Sequence, residues 1–351
     1  MNIAVIAYLD CNLGDDLMLD ILFKKYNNDT FYLLGSDDNS YLKDKYSNVV
    51  FIRYRELCKY MFKLQGIVII GGSLFQDYKE GYKSYHKRNI IIQCFRILRK
   101  KICIMGINIG PIYSEECMKI FKKTFKYADY ISVRDKKSYK ILQENNISNC
   151  GYYSDIVFNY HDNNNMKDIE KNRLGISIIN YCRNIEHKQQ YIDKTIELIN
   201  KYLKEQKDNT VYLFGFDAGI ENDAEVIDVI IKKIIEKDKV YSVIYNGNID
   251  DFLEHYKKCS FIIGTRFHSL ILALKYQIPF IPIIYNIKAE NLLNDINYNN
   301  NRYHYYNMIE FNIGKILNTI KNTQTFKVNE EYINLSKGHF NYLDKLLINK
   351  K

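Results

Sequence analysis

The chain has 351 residues, 47% of them hydrophobic, with 50 Lys and Arg against 41 Asp and Glu, a formal net charge of +9. Length and composition exclude global disorder and favour two domains over one. The cations are scattered over helical faces beside acidic residues, with no basic arm, interleaved aromatic and basic patch or zinc finger, which argues for a solvated surface and against nucleic acid.

Strand-like and helical runs alternate from the first residue. In chain order they are "NIAVIAY", the helical "DDLMLDILFKKY", "TFYLLG", "NVVFI", the helical "YRELCKYMFKL", "GIVIIGG", a long helical stretch to Lys100, "KICIMGINIG", the helical "EECMKIFKKTFKYA", "YISVRD" and the helical "KKSYKILQEN". A polar break from Asn159 to Asn172 reads as a linker. The pattern then restarts with "RLGISIIN", a helix near Glu186 to Gln206, "TVYLFGF", a helix near Asp223 to Lys237, "VYSVIYN", the helical "IDDFLEHYKKC", and "FIIGTRFHSLILALKYQIPFIPIIY". Such alternation predicts an α/β fold of two Rossmann-like domains facing a cleft, over residues 1–165 and 170–325, with a helical tail over 326–351 packing back. No 20- to 50-residue repeat points to a solenoid.

Cys11, Cys58, Cys94, Cys103, Cys117, Cys150, Cys182 and Cys259 form no CxxC pair and accompany no histidine cluster, so neither a zinc site nor a disulfide framework is expected. They are expected to be small buried side chains in a reducing cytosol. "MNIAVIAYLD" opens as a strand rather than a signal peptide, and no run reaches the roughly 18 apolar residues of a membrane span. A cytoplasmic location is expected, with contact at the inner face of the membrane left open.

In open α/β sheets, ligands lie beyond the carboxyl ends of the strands, where helix N-termini point. Four such loops stand out in the first half: "NLGDD" with Asp15, "IIGGSLFQD" with Gly71, Gly72 and Ser73, "GINIGP" with Asn108, and "SVRDKKS" with Arg134. None matches GxGxxG or GxxxxGK[ST], which lowers the expectation of a dinucleotide or P-loop site. Arg134 must emerge at the mouth of the sheet; its alternative is a simple pairing with Asp135. Asp15 is either a functional carboxylate or one favoured by a helix dipole, and Asp155 in "YYSDIVF" is equally ambiguous.

In the second half, Thr265 reads as a helix cap, and Phe267, Leu270, Ile271 and Leu274 as the buried stripe of the helix that follows. Arg266 and His268 cannot share one face of a regular helix, so Arg266 belongs to the turn or the first residue. His268 at the helix start suits anion binding or proton donation; its alternative is a core or capping histidine.

Together "NLGDD", "GGSLFQD", "GINIGP", "SVRDKKS", "SDIVF", "GTRFHSLILALKYQIPFIPIIY" and Lys288, in that order over about residues 3 to 295, resemble the polysaccharide pyruvyl transferase family. The resemblance implies a fold similar to GT-B glycosyltransferases and transfer of the enolpyruvyl carbons of phosphoenolpyruvate onto two hydroxyls of a sugar as a ketal. It implies an acceptor side and part of the anion site in the first domain, and the phosphoenolpyruvate site in the second. By motif match, Asp15, Arg134, Arg266, His268 and Lys288 take the family's active-site positions. Two departures occur: Gly-Asp-Asp where Gly-Asp-Glu is common, and Gly-Gly-Ser where three glycines are common.

Phosphoenolpyruvate carries a carboxylate and a phosphate, which explains a need for several fixed cations. The expected roles are His268 as proton donor, Arg134, Arg266 and Lys288 as an anion clamp supported by Gly71, Gly72, Ser73 and Asn108, and Asp15 either at the acceptor hydroxyl or orienting a cation. This scheme requires no metal and no cofactor, phosphoenolpyruvate being a co-substrate. The expected partner is a glycan acceptor, free or lipid-linked; the oligomeric state is open. A GT-B glycosyltransferase using a nucleotide sugar and a non-catalytic carbohydrate-binding scaffold of polymer assembly are the competing readings.

Overall fold

The computed structural model describes residues 1–35, 42, 45–78, 81–162, 169–322 and 325–347. The chain divides into two compact units: Met1–Leu9, Asp15–His161 and Glu330–Lys351 form one, Asp10–Gly14 and Asp162–Asn329 the other.

The first unit is built on seven strands, β1 (Asn2–Ile6), β2 (Thr30–Gly35), β3 (Val49–Arg53), β4 (Gly66–Ile70), β5 (Lys101–Ile107), β6 (Tyr130–Val133) and β7 (Cys150–Tyr152), in the order β3-β2-β1-β4-β5-β6-β7. Every neighbouring pair is parallel. The central strand β4, "GIVII", is buried along its whole length, as a strand covered by helices on both faces must be. The helix Glu115–Tyr127 shows how such cover forms. Ser114 caps it by accepting from the Cys117 N–H at 3.1 Å, and Cys117, Ile120, Phe121, Thr124 and Phe125 are buried at helical spacing.

The second unit repeats the plan with β8 (Glu170–Ile178), β9 (Thr210–Gly215), β10 (Val240–Ile244), β11 (Cys259–Gly264), β12 (Phe280–Ile284) and β13 (Tyr303–His304), ordered β10-β9-β8-β11-β12-β13, again all parallel. In each sheet the strand order reverses once, between β1 and β4 and between β8 and β11. The carboxyl ends at such a switch point diverge and leave a crevice for a ligand. Asp15 and Gly71–Gly72 flank the first; Arg266 and His268 follow β11 at the second.

Several sequence expectations need correction. "YRELCKYMFKL" is not one helix but a 3-10 turn, Tyr54–Glu56, and the four-residue helix Leu57–Tyr60. The Tyr60 carbonyl accepts from Lys63 N at 2.9 Å and Leu64 N at 3.1 Å, which tightens the turn, and Gln65 N donates to Asn2 O at 2.8 Å, so the chain is already entering the sheet. The strands β7 and β13 were not expected. Three cysteines, Cys103, Cys117 and Cys259, are buried, whereas Cys58 and Cys182 are exposed. In the polar stretch from Asn159 to Asn172, strand β8 starts at Glu170, and residues 163–168 lie outside the described residues, as does the expected domain limit at 165. Among the described residues no helix is long and apolar enough to cross a membrane.

Candidate active site

In the first unit the strand-end loops form one contiguous frame. Gly71 has φ +137°, a region that disfavours any side chain, and a Cβ there would lie 3.3 Å from Asp15 Oδ1. A Cβ on the neighbouring Gly72 would collide with the Arg134 guanidinium. The glycine pair therefore serves close approach, by a carboxylate on one residue and a cation on the next. Ser73 beside them is exposed.

The Arg134 side chain, 3% exposed, donates from Nη1 to Asp155 Oδ2 at 2.9 Å and from Nη2 to Asn108 Oδ1 at 2.9 Å. Asn108 N donates to Gly72 O at 3.0 Å, and Asp155 Oδ1 accepts from Val157 N at 2.9 Å. Arg134 thus pairs with Asp155. Asp135 caps the helix Lys136–Glu144: its Oδ1 accepts from Ser138 N at 2.8 Å and its Oδ2 from Ser138 Oγ at 2.7 Å. Ser138 Oγ in turn accepts from Ile109 N at 2.8 Å, which ties the "SVRDKKS" helix to the Asn108 loop. A buried ion pair needs such supporting bonds, because desolvation otherwise cancels its Coulomb attraction.

In the second unit, Arg266 is the N-cap residue of the helix Phe267–Tyr276, in extended backbone (φ −66°, ψ 138°), as expected from the sequence. Thr265 does not cap; it is buried, with Oγ1 3.3 Å from the Tyr191 hydroxyl. The guanidinium of Arg266 turns back onto two carboxylates. Its Nε donates to Asp223 Oδ2 at 3.0 Å, its Nη2 to Asp223 Oδ1 and its Nη1 to Glu221. Burial opposes its charge, but Asp223, Tyr285 and Glu221 outweigh that penalty and raise its pKa.

Asp223 also accepts from Asn180 N at 2.9 Å, Phe216 N at 3.0 Å and Asp217 N at 3.1 Å. It is the anchor of the loop that follows β9. Glu221 is the looser partner, its side chain 41% exposed against 0% for Asp223.

His268, half-buried, occupies the first turn of the same helix. Its imidazole lies so close to Gly14 that a Cβ on that residue would collide with the ring at Nδ1. The Gly14 backbone is itself pinned within this unit. Gly14 N donates to Asn12 Oδ1 at 3.1 Å, Asn12 Nδ2 to Asp217 Oδ2 at 3.1 Å and Leu13 N to Phe216 O at 3.0 Å. One loop, residues 216–223, thus holds Arg266 through Asp223 and seats His268 through Asn12 and Gly14. Lys288, half-buried, stands in the first turn of the next helix, Ile287–Asp295, whose cap Asn286 accepts from Ala289 N at 3.1 Å.

The structure gathers Asp15, Gly71, Gly72, Asn108 and Arg134 in the first unit, and sets Arg266 and His268 at one helix start in the second, with Lys288 after the adjoining strand. Sequence reasoning missed Glu221, Asp223, Asn12 and Asp217. The signal for the last two lay in the polar residues beside Gly14 and at the end of "TVYLFGFD".

The family model of polysaccharide pyruvyl transferases matches residues 12–287, from Asn12 of this network to the helix that carries Lys288. The chain belongs to the polysaccharide pyruvyl transferase family. Solved structures similar to this family member show its fold at low sequence identity. The UDP-GlcNAc 2-epimerase from Methanocaldococcus jannaschii is 10% identical with a TM-score of 0.65, the match covering 99% of this chain and 100% of that one. A putative UDP-N-acetylglucosamine 2-epimerase from Listeria monocytogenes is 8% identical with a TM-score of 0.62, covering 100% and 97%. Anabaena HepE, solved in complex with UDP and glucose, is 10% identical with a TM-score of 0.58, covering 98% and 94%. The pyruvyl transferase fold is accordingly α/β and GT-B-like, and its role is pyruvyl transfer in polysaccharide biosynthesis.

Proposed function

We propose that the protein moves the enolpyruvyl group of phosphoenolpyruvate onto two hydroxyls of one sugar of a surface polysaccharide or its lipid-linked precursor, forming a pyruvyl ketal and releasing phosphate. The observation that carries this reading is His268. It is a half-buried imidazole in the first turn of a ten-residue helix, seated on a glycine backbone and two residues after the charged Arg266 that caps the helix. A helix start and adjacent cations favour an anionic ligand, and an imidazole there can hand it a proton.

In the proposed sequence, imidazolium His268 protonates the methylene carbon, making it the methyl group and leaving C2 cationic in character. One sugar hydroxyl adds to C2. Phosphate then leaves with cleavage of the C2–O bond, and the second hydroxyl adds to give the ketal. The two hydroxyl protons balance the step, one restoring the imidazolium and the other leaving on hydrogen phosphate. Arg134, Arg266 and Lys288 supply charge for the donor's carboxylate and phosphate, with Gly71, Gly72, Ser73 and Asn108 as backbone and side-chain support, and Asp15 receives an acceptor hydroxyl. Arg266 already carries Glu221, and we assign the half-exposed Glu221 as the carboxylate that the incoming anion replaces.

His268→Asn keeps the shape of the ring's polar edge and removes the proton. Turnover is expected to fall by about 10²- to 10⁴-fold with little change in donor binding by calorimetry. In heavy water the wild-type product is expected to carry deuterium in its methyl group. Ketal formed without that label, or at full rate by His268→Asn, would remove His268 from the chemistry.

A further inference from the structure

The C-terminal segment of the first unit reaches the ion pair of the candidate site through one residue. His339, fully buried, lies in the 3-10 turn Ser336–Phe340. Its Nε2 lies 2.7 Å from the Ser154 carbonyl oxygen and its Nδ1 2.8 Å from Ser132 Oγ. A carbonyl only accepts, so Nε2 bears the hydrogen and Nδ1 accepts from the Ser132 hydroxyl. That hydroxyl also accepts from Gly106 N at 3.3 Å.

Ser132 lies on β6, two residues before Arg134, and Ser154 directly precedes Asp155, the partner of Arg134. We propose that His339 is a positioning residue: it braces β6 against the segment after β7 and so fixes the geometry of the Arg134–Asp155 pair and, through Asn108, of the donor-binding frame. The brace arrives from a distant part of the chain and is held by packing. The His339 ring sits edge-on to Tyr153 with centroids 5.1 Å apart, a Cβ on Gly338 would collide with Tyr153, and Tyr342 stacks on Tyr130 at 5.7 Å. Tyr26 donates to Asp344 at 2.7 Å.

The inference rests on the proposed use of phosphoenolpyruvate, so its test has an arm that needs no substrate. In the free protein, nitrogen-15 spectra of His339 are expected to show the Nε2–H tautomer, and the Arg134 Nε–H signal is expected to be sharp in wild type and broadened in His339→Ala. With substrate, His339→Ala is expected to raise the KM for phosphoenolpyruvate on the order of tenfold or more, as displacement of a positioned group does. His339→Gln, which keeps a donor for Ser154, recovers most of that loss.

The deciding measurement is a double-mutant cycle. On an Arg134→Ala background, His339→Ala is expected to add nothing further to the donor KM. Additive effects, or a folded His339→Ala protein with wild-type donor KM and a sharp Arg134 signal, would overturn the proposal. A wild-type protein that ignores phosphoenolpyruvate would instead overturn the proposed function, leaving the spectroscopic arm to judge the brace.

Discussion

Arg266 bears two carboxylates of different standing, and the difference decides which one a ligand can displace. Asp223 is fully buried and takes three backbone N–H groups besides the guanidinium. Removing it would leave those donors without an acceptor. Glu221 is 41% exposed and makes its contact from a loop, so it can return to water at little cost. Glu221→Gln is therefore expected to tighten phosphoenolpyruvate binding by about two- to fivefold, the scale of a half-exposed charge interaction, with turnover nearly unchanged. Calorimetry checks it, and weaker binding in that variant would place the donor's anion away from Arg266. The sequence pointed to the cation and not to its counterions, because Glu221 and Asp223 in "DAGIENDAE" read as ordinary surface acids until the sheet brings β9 and β11 to their places two strands apart.

Among the elements, the strands flanking the switch points were legible because β-branched runs such as "NIAVI", "GIVII" and "FIIG" bound by Gly or polar turns have few other uses. Three-residue β7 and two-residue β13 are too short to show any period, and their pairing is set by the neighbouring strand rather than by their own side chains. A C-terminal tail packing back was expected, but the residue that docks it was illegible for another reason. That residue, His339, is a lone histidine in a polar helical stretch, and nothing local marks it as buried.

Burial pushes the His339 pKa down to about 4, against the opposing influence of the Ser154 bond and Asp155, while Arg134 adds to the lowering. An unfolded chain binds that proton near 6.5, so between about pH 6.5 and 4 the unfolded state holds the proton that the folded state refuses. Stability is expected to fall with pH across that window, by roughly 3 kcal/mol from this residue, and to level off below it. The check is the acid dependence of Tm. His339→Gln is expected to lose this part of the slope, and an identical slope in both proteins would mean that His339 is not held neutral.

For the whole molecule, two all-parallel sheets with the same reversal of strand order account for the match in fold to nucleotide-sugar epimerases at 8–10% identity. A shared fold does not carry chemistry with it; the site does. Each unit carries its own strand-end set: a frame of Asp15, Gly71, Gly72, Asn108, Arg134 and Asp155 in one, and a helix start with Arg266 and His268 in the other. The residues 10–14, which follow β1 in sequence, group with the second unit and seat His268 there. The alternation of strands and helices made the two halves visible in the sequence. This short exchange of chain was not, because "NLGDD" looks like any strand-to-helix turn until the imidazole that needs Gly14 is in place.

The most direct test of pyruvyl transfer is mass spectrometry of candidate lipid-linked and nucleotide-linked glycans incubated with the protein and phosphoenolpyruvate in heavy water. A glycan that gains one pyruvyl ketal with a deuterium in its methyl group, matched by one phosphate released, is the predicted result. A sugar transferred from a nucleotide sugar in the absence of phosphoenolpyruvate, with no ketal under any condition, would contradict it.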